Sequence, residues 1–498
     1  MESNKIYVGL DIGTTKVVAM VGTTNRNGKI QILGYGVSKP QEKISKGVAM
    51  SLSKTATAVM QATDLARRSA DVDIKEVMVG ISGQNISTRT HSDYISRISP
   101  EKLIDVDDLE RLKSQVNAIT LGAGERIIHA LPQYYKVDST SDIKDPIGMV
   151  GGRLDATYHL VIGQTSAINN VNRTIEMANL KAIDITLEPI ASAEAVLTDD
   201  EKEGGVVLVD IGGGTTDVAI FKEGIIRHAA VIPFGGAIIT EDIQSAYGIN
   251  AKYAEEVKVT FGSAWPGEIP ENEIITIPGK NSKEISLKSL SKIIHSRVSE
   301  IINLVHNVIK SYGHEDVKNK LHEGIVLTGG GSQMQHIVHL VKYITGMNTR
   351  VGYPDEYLVL DNNREELRVP TYATSIGLVM CAIEKEKEEQ IKKLLAEKQK
   401  KKEEEERLKK QQEDLLRQQN EETEKEKEKE KEKEQQLKYE IKAKEKNNDD
   451  DYEEDDEEDD KKEKKKGISI TIRSLGNKIK GYLNTFNKKD EDDDEEDE

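Results

Sequence analysis

Two short segments of the chain place an aspartate just before a turn rich in glycine and threonine. Asp11 is followed by Gly13, Thr14 and Thr15, and Asp210 is followed by three glycines and two threonines. Glycine lets the backbone approach a phosphate, threonine offers donors, and the aspartate can hold Mg²⁺ through water. One such turn is more often an ordinary hairpin. Two copies indicate facing turns that enclose the β- and γ-phosphates of a triphosphate.

The two turns belong to a longer internal repeat. Residues 8–20 and 208–220 both read as an apolar strand, Asp-Ile-Gly, a Thr-Thr pair and a second apolar strand. This duplication predicts two similar α/β domains. The second copy is the stronger signal. Gly212, Gly213 and Gly214 cost conformational entropy on folding, but they allow the backbone to approach a ligand closely.

A third glycine cluster comprises Gly329, Gly330 and Gly331. It follows an apolar stretch, which predicts a strand, a turn and a helix that begins near Gln333. The start of such a helix suits a phosphate or an adenosine group. The alternative is only a tight connection between a strand and a helix.

Glu255 and Lys258 lie three residues apart on a predicted helix and therefore share one face. Together they could grip the hydroxyls of a ribose. The alternative is an ion pair on the surface.

The elements that must position these residues alternate between strand and helix patterns. Strands are predicted over residues 5–11, 16–22, 29–37, 76–82 and 324–328, and helices over 51–69 and about 287–311. Between about 83 and 165 the order changes to alternating runs around one helix that starts near Asp105. This change predicts an inserted α+β subdomain.

Composition divides the chain into two parts. Residues 384–498 contain 31 of the 70 Lys and Arg residues and 42 of the 88 Asp and Glu residues, so this part cannot bury a core. The remainder is long enough for two domains. A single cysteine, Cys381, excludes an internal disulfide. With no apolar run of 18 residues and no signal-peptide pattern, we expect a cytoplasmic protein.

The charged part has three predicted segments. Residues 384–466 read as a solvated helix or a disordered spacer, since their leucines are too sparse for a coiled coil. Residues 467–489 regain apolar side chains at helical spacing, with basic residues on the other face or at the end, which is typical of a membrane-surface anchor. A helix that binds a partner protein is the alternative. The acidic residues 490–498 should weaken attachment to anionic lipid. The residues expected at the membrane are Ile472, Leu475, Lys478, Ile479, Lys480, Leu483 and Phe486.

The three glycine motifs, in this order, resemble the phosphate-1, phosphate-2 and adenosine elements of the actin and sugar-kinase ATPase superfamily. Residues 187–197 and 373–377 resemble its two connecting helices. Within the superfamily, residues 129–138, 145–149 and 231–236 are similar to the FtsA family of bacterial cell-division proteins. The resemblance implies a two-lobed actin-like ATPase fold of duplicated RNase H-like domains, with the insert at 83–165.

The resemblance also implies a domain order and a set of site residues. The first domain would comprise residues 1–82 and 166–205, the second 206–383, followed by the spacer, the helix and the acidic end. Asp11 and Asp210 would face Mg²⁺, and Glu188 is the candidate for positioning a hydrolytic water, although a carboxylate favoured by a helix N-terminus explains it equally well. The residues that would contact ATP are Asp11, Gly13, Thr14, Thr15, Lys16, Asp210, Gly212, Gly213, Gly214, Thr215, Thr216, Gly235, Gly236, Glu255, Lys258, Gly329, Gly330 and Gly331.

The function implied by the resemblance is that of a division adaptor. Such a protein binds ATP with weak or no hydrolysis, polymerises on the inner face of the cytoplasmic membrane at the septum, and anchors the FtsZ ring there. Residues 296–304 resemble the family's helix that docks the FtsZ tail, and Arg297 could pair there with an acidic peptide. The insert would contact the next protomer or other division proteins. No nucleic-acid partner is expected. The alternatives are a soluble actin-like ATPase or a small-molecule kinase, which would need a catalytic aspartate in the first domain that the sequence does not single out.

Overall fold

The computed structural model describes residues 5–25, 28–40, 51–277, 283–355, 358–359 and 364–446. The chain divides into two units, of which the first runs to Leu395 and the second begins at Ala396. The first unit contains every strand in the described part of the chain and almost all of its buried apolar side chains.

The first sheet of this unit has six strands. Its antiparallel strands are β1 (Tyr7–Ile12), β2 (Val17–Thr24) and β3 (Ile30–Ser38), and the strands added in parallel are β4 (Glu76–Ile81), β9 (Lys181–Leu187) and β17 (Leu358–Val359). Their order is β17-β3-β2-β1-β4-β9.

The second sheet repeats the arrangement of the first. Its strands are β10 (Val206–Ile211), β11 (Thr216–Lys222), β12 (Ile225–Ile232), β15 (Gly324–Thr328) and β16 (Thr349–Val351), in the order β12-β11-β10-β15-β16. In both sheets an antiparallel meander continues into strands parallel to its first member. The duplication predicted from the sequence repeat is therefore confirmed.

Helices cover these sheets and join them. They are α1 (Leu52–Ala70), α2 (Val106–Asn117), α3 (Thr165–Met177), α4 (Glu188–Val196), α5 (Asp199–Gly204), α6 (Gly236–Tyr247), α7 (Ala251–Phe261), α8 (Leu287–Tyr312), α9 (Ile337–Thr345) and α10 (Ala373–Lys446). Helices α1 and α3 pack on the first sheet and form the first lobe, and α6 to α9 pack on the second sheet and form the second lobe. A two-stranded hairpin of β13 (Ile274–Ile277) and β14 (Lys283–Ser286), which the sequence did not predict, belongs to the second lobe.

The predicted insert is a sheet of four antiparallel strands with one helix. Its strands are β5 (Ile86–Ser96), β6 (Glu125–Val137), β7 (Thr140–Ile143) and β8 (Arg153–Gln164), in the order β5-β8-β6-β7. Helix α2 begins where predicted, because the Asp105 carboxylate accepts a hydrogen bond from the Asp108 N–H at 3.1 Å and caps the helix. Leu112 and Val116 of this helix are buried against the sheet.

The insert contacts both lobes. The Thr88 hydroxyl donates to the Ala229 carbonyl at 3.2 Å, and the Gln133 amide donates to the Ile226 carbonyl of β12 at 2.8 Å. On the other side, the Leu187 N–H donates to the His129 imidazole at 3.1 Å. The insert thus covers the edge strand β12 of the second lobe and touches the end of β9 in the first.

Two helices cross between the lobes at their closest point. Gly377 of α10 lies on the backbone of α4, and a Cβ atom placed on it would be only 1.7 Å from the Ala191 carbonyl oxygen. Apolar residues of both sheets and both helices surround this crossing in one core. Only glycine allows the two helices to approach so closely.

We expect Gly377→Ala to lower the free energy of unfolding by at least about 3 kcal/mol, because the new methyl group overlaps main-chain atoms that cannot rotate away. Thermal unfolding of the purified variant measures this loss. Gly152→Ala is the matched control, since a Cβ there would meet its nearest atoms at an ordinary 3.8 Å. Equal melting temperatures for the two variants would contradict the crossing described above.

Two predicted helices differ from those observed. Residues Gly330–Gln333 form a short 3-10 turn, and α9 begins only at Ile337, after His336 in a left-handed conformation. The predicted start near Gln333 was therefore four residues too early. Helix α10 is longer than predicted, because the connecting helix continues without a break to Lys446. Of the two alternatives for residues 384–466, the structure shows a helix up to Lys446. Residues 447–466 lie outside the described residues.

Among the described residues, no helix is long and apolar enough to cross a membrane.

Candidate functional site

A cleft of about 920 Å³ lies between the two lobes. The three glycine clusters line it, since the turns after β1, β10 and β15 all open at the same end of their sheets. The crossing of α4 and α10 lies behind these turns. The structure thus brings together most residues predicted to contact the nucleotide, and they all belong to the first unit.

Asp11 and Asp210 are held at the base of the cleft by hydroxyl groups of the crossing helices. Ser192 donates to one oxygen of Asp210 at 2.6 Å and Thr374 donates to the same oxygen at 3.1 Å. Ser375 donates to one oxygen of Asp11 at 3.3 Å. In each carboxylate these bonds occupy one oxygen, and the second oxygen lies toward a glycine turn, at Gly13 or Gly329.

Glu188 and Asp217 extend this pair into a group of four acidic side chains. Glu188 is the first residue of α4 and lies against Gly80. Asp217 in β11 accepts hydrogen bonds from Ser82 at 2.6 Å and from Thr215 at 3.3 Å. Asp217, which directly follows the two threonines of the second turn, is not among the residues predicted for the site. Its place opposite Asp210 in the antiparallel register is the signal that could have identified it.

Burial makes these carboxylates hard to ionise. It raises the pKa of Asp11 to about 6, although Lys16 opposes the change, and it raises the pKa of Asp217 to about 7, although Ser82 opposes it. Burial also raises the pKa of Asp210, against the hydrogen bonds of Ser192 and Thr374. The pKa of Glu188 lies well above its ordinary value because of burial and then of the neighbouring Asp11, Asp217 and Asp210.

Lys16 is the cation that faces this acidic group. Its ammonium donates to the Thr371 carbonyl at 2.7 Å and lies 4.4 Å from the centre of the Tyr372 ring. Burial lowers the pKa of Lys16, while Asp11 and Asp210 act in the opposite direction. Lys16 therefore lies beside the phosphate turns, as predicted, and it also contacts Thr371 and Tyr372, which directly precede α10.

The two phosphate turns touch each other directly. A Cβ on Gly214 would lie 2.3 Å from the Thr14 hydroxyl, and a Cβ on Gly213 would lie 2.5 Å from the Thr15 methyl group. From the sequence, these glycines are predicted to let a phosphate approach the backbone. In the structure they also make room for the threonines of the opposite turn, so the first lobe reaches the second at this point.

Two residues expected at the nucleotide lie behind the turn and not on the lining of the cleft. Thr216 is fully buried and its hydroxyl donates to the Phe234 carbonyl at 2.8 Å. A Cβ on Gly235 would come within 2.8 Å of the carbonyl oxygens of Gly212, Gly213 and Thr215. Both residues hold the start of α6 against the second turn. Gly236 completes this contact, because its N–H donates to the Gly212 carbonyl at 2.8 Å.

Glu255 and Lys258 line the cleft and join α7 to α6. The Lys258 ammonium donates to the Glu255 carboxylate at 2.7 Å, to the Gly236 carbonyl at 2.9 Å and to the Thr240 hydroxyl at 2.9 Å. Only 10% of the Lys258 side chain is exposed, against 51% for Glu255. The pair is therefore more than a surface ion pair, and its glutamate remains accessible from the cleft.

We expect Lys258→Met to weaken ATP binding at least about tenfold, because α6 loses the bonds that fix its first turn, whose Gly236 carbonyl and Thr240 hydroxyl are left without this donor. Isothermal titration with ATP measures the change. Lys252→Met on the same helix, at an exposed position, is the control and should leave the affinity within about twofold. Similar affinities for the two variants would contradict this role.

In the third glycine cluster, two of the three positions have no room for a Cβ atom. Gly329 has a backbone φ of 78°, and a Cβ there would lie 2.2 Å from an Asp210 oxygen. A Cβ on Gly331 would overlap the Ile211 side chain at 2.3 Å, whereas Gly330 has open space on its Cβ side. Gly329 and Gly331 let the turn lie against the end of β10, and Gly330 is the one that leaves room beside the cleft.

The residues present suit a magnesium ion. Carboxylate oxygens are the protein ligands that Mg²⁺ prefers, and a divalent cation would favour the ionised forms of Asp11 and Asp217, whose pKa values are raised mainly by burial. Among the described residues, no three acidic, histidine or cysteine side chains form a ready metal cage. Because Mg²⁺ usually keeps several waters, Asp11 and Asp210 fit the water-mediated contact predicted from the sequence.

Arg297, predicted to bind an acidic peptide, is already paired within the second lobe. Its guanidinium donates to both oxygens of Asp242 in α6, at 2.6 and 3.1 Å, and to Glu300 on its own helix. A peptide carboxylate would have to compete with these two acids. The predicted membrane residues, from Ile472 to Phe486, lie outside the described residues.

Two family models match the chain. The model described as "Cell division protein FtsA" matches residues 207–377, and the model described as "SHS2 domain inserted in FTSA" matches residues 83–162. The second match falls on the four-stranded insert.

Curated proteins with the description "Cell division protein FtsA" are similar along most of their length. The one from Pseudomonas aeruginosa is 37% identical over 392 residues, which cover 78% of this chain and 92% of the relative. The one from Escherichia coli K12 is 33% identical, covering 75% and 90%, and the one from Bacillus subtilis is 32% identical, covering 77% and 84%.

A solved structure shares the fold at low identity. The PilM-PilN type IV pilus biogenesis complex aligns with a TM-score of 0.58 and 16% identity, covering 76% of this chain and 98% of that chain. The two similar lobes, the insert and the family matches together confirm the actin-like α/β fold predicted from the sequence.

Proposed function

The chain belongs to the FtsA family of cell-division proteins, and on that basis we propose that it binds Mg²⁺ and ATP between its lobes and polymerises on the inner face of the cytoplasmic membrane at the division septum. There it would anchor the FtsZ ring and recruit later division proteins. Family membership supports the role in division, and the geometry of the cleft supports the nucleotide.

The main observation that supports ATP binding is that three glycine turns line one cleft together with Asp11 and Asp210. The turns after β1 and β10 offer backbone N–H groups and threonine hydroxyls to phosphates, while Glu255 and Gly330 line the part of the cleft that suits the nucleoside. Lys16 supplies positive charge beside the phosphates. When bound, Mg²⁺ would supply the charge that joins the triphosphate to Asp11 and Asp210.

Hydrolysis of ATP should be weak. Glu188 lies beside three aspartates, and burial together with these like charges raises its pKa well above the ordinary value, which disfavours its ionised form in the nucleotide-free cleft. Because only an ionised carboxylate can accept a proton from water, the raised pKa limits Glu188 as a base unless a bound cation favours its ionised form.

We expect Glu188→Gln to leave ATP affinity within about threefold, because an amide of the same shape replaces a carboxyl whose ionised form is disfavoured by burial. Any phosphate release should fall at least about tenfold if Glu188 positions the hydrolytic water. Fluorescent ATP titration and a phosphate-release assay measure the two effects. An unchanged rate of release would assign Glu188 to the helix terminus alone.

Membrane attachment would come from residues 467–489, whose sequence predicts a helix with an apolar face and a basic face. The partners supported by family membership are the FtsZ C-terminal peptide, other copies of the chain and division proteins that bind the insert. For the FtsZ peptide, the helix that carries Arg297 is the proposed surface, with Asp242 and Glu300 as the groups it must displace.

Sedimentation with lipid vesicles and ATP tests the proposal. We expect the full chain to co-sediment in the presence of ATP and Mg²⁺, and a form that lacks residues 467–498 to remain in the supernatant. A form that lacks only residues 490–498 is the control and should bind anionic vesicles at least as well as the full chain. Absence of lipid binding in all three forms would favour a soluble actin-like ATPase.

A further inference from the structure

The second unit contains a long helix with no glycine or proline. Its described part is the distal section of α10, from Ala396 to Lys446, and the chain has neither residue type between Gly377 and Gly467. At 1.5 Å per residue this section is roughly 75 Å long. It is longer than any other helix among the described residues.

The part of α10 that belongs to the first unit is held there by ion pairs. In the first unit, Lys385 pairs with Asp184 at 2.8 Å, and Lys392 pairs with Glu110 of the insert at 2.6 Å. From Leu408 onward, the large apolar side chains that the structure describes in this helix are 53–83% exposed, and they are Leu408, Leu415, Leu416, Leu437 and Tyr439. Even with Ile441, the apolar residues are too sparse to form the continuous apolar seam of a coiled coil.

Pairs of opposite charge can stabilise this section from within. A helix that is polar all round persists only where many such pairs occur at a spacing of four residues. Arg417 and Glu421 form one of them, at 3.6 Å. In the favourable order, with glutamate first, the sequence provides Glu397–Lys401, Glu403–Arg407, Glu405–Lys409, Glu406–Lys410, Glu413–Arg417, Glu421–Lys425, Glu434–Lys438 and Glu440–Lys444.

We propose that residues 396–446 are a single self-supporting charged helix that works as a rigid spacer. It holds the segments that follow Lys446 at a fixed distance of roughly 75 Å from Ala396. A flexible chain of the same length would span only about 40 Å on average and would vary widely. The spacer sets a reach, and it does so whether or not the chain binds ATP or a membrane.

The weakest part of the spacer is the alternating Glu-Lys stretch at 424–434. Residues four apart carry like charges there, and only those three apart attract each other. A measurement of rigidity must therefore span this stretch. Lys400 and Gln436 lie on either side of it, and both are exposed.

Pulsed electron–electron resonance on the full chain tests the proposal. Spin labels are attached at Lys400→Cys and Gln436→Cys, with Cys381→Ala removing the natural thiol. A helix predicts a narrow distribution centred near about 54 Å, and a flexible coil predicts a broad one centred near about 33 Å. The coil distribution would overturn the proposal.

Two controls separate the self-supporting helix from other arrangements. Reversing Lys409, Lys410 and Arg417 to glutamate turns every attractive pair that these residues make at a spacing of four into a repulsive one, so the distance should shorten and its distribution broaden. Protein labelled at Gln436→Cys alone should give no defined distance between chains. A short distance there would show a coiled coil and would overturn the spacer as a single helix, without bearing on the proposal for ATP or lipid.

Discussion

Replacing Asp210 with asparagine should weaken Mg²⁺-dependent ATP binding at least about a hundredfold and should also raise the melting temperature of the nucleotide-free protein. Asparagine has the shape of aspartate, and its oxygen can still accept the 2.6 Å hydrogen bond from Ser192. The substitution therefore removes only the negative charge of the carboxylate, whose second oxygen faces Gly329 and the cleft. Burial raises the pKa of Asp210, so the ionised form is costly in the nucleotide-free fold and its removal relieves that cost.

The two opposite effects make this experiment diagnostic. Isothermal titration with ATP, in Mg²⁺ and again in EDTA, gives the affinity, and differential scanning calorimetry gives the melting temperature. Asp242→Asn is the matched control, because Asp242 belongs to the same lobe but pairs with Arg297. It should leave ATP affinity within about twofold. An Asp210→Asn protein that binds Mg²⁺ and ATP normally would remove the metal site from the proposal.

The positions of the predicted residues that line the cleft follow from short-range signals. A strand that ends in Asp-Ile-Gly places its aspartate and its turn by local geometry alone, and the repeat shows that this happens twice. The same repeat predicted that the two domains are similar. The start of α2 at Asp105 was predictable for a similar reason, since a capping carboxylate acts within three residues.

The parts that sequence did not predict depend on contacts between distant segments. The hydroxyls of Ser192 and Thr374 meet on Asp210 although they are separated by 182 residues in the chain. Gly235 is required by three carbonyl oxygens of another turn, and Gly377 by the backbone of α4. No spacing rule within one segment reveals such requirements, so glycines that pack and glycines that bind phosphate look alike in the sequence.

Helix α10 shows how composition can be ambiguous even over a long range. The same charged residues suit a disordered spacer and a solvated helix, because both keep every side chain in water. The order of the charges along the helix, which favours Glu-to-Lys pairs over most of the segment, distinguishes the two. The connecting helix at 373–383 also matters, since it provides an already formed turn from which the rest can grow.

The stability of the nucleotide-free protein should fall as the pH rises from about 5 to about 7, and Asp217→Asn should remove part of that fall. The pKa of Asp217 is raised to about 7 in the fold, and an unfolded aspartate titrates near its ordinary value of 3.8. Between these values the folded state binds more protons than the unfolded state, so the free energy of unfolding decreases with pH. Asp11, with its pKa raised to about 6, acts in the same direction.

Other groups oppose this trend, so the comparison of variant with parent is what isolates it. Burial lowers the pKa of His129 and of His159 to about 4, and these histidines make the protein more stable as the pH rises from 4 toward 6.5. Their contribution is the same in both proteins and cancels in the difference. We therefore expect denaturant unfolding at pH 5, 6 and 7 to show that the free energy of unfolding of Asp217→Asn, relative to that of the parent, increases by at least about 1 kcal/mol from pH 5 to pH 7. A difference that does not change with pH would mean that Asp217 is ionised throughout, in which case the acidic group in the cleft already has its compensating charge before any cation binds.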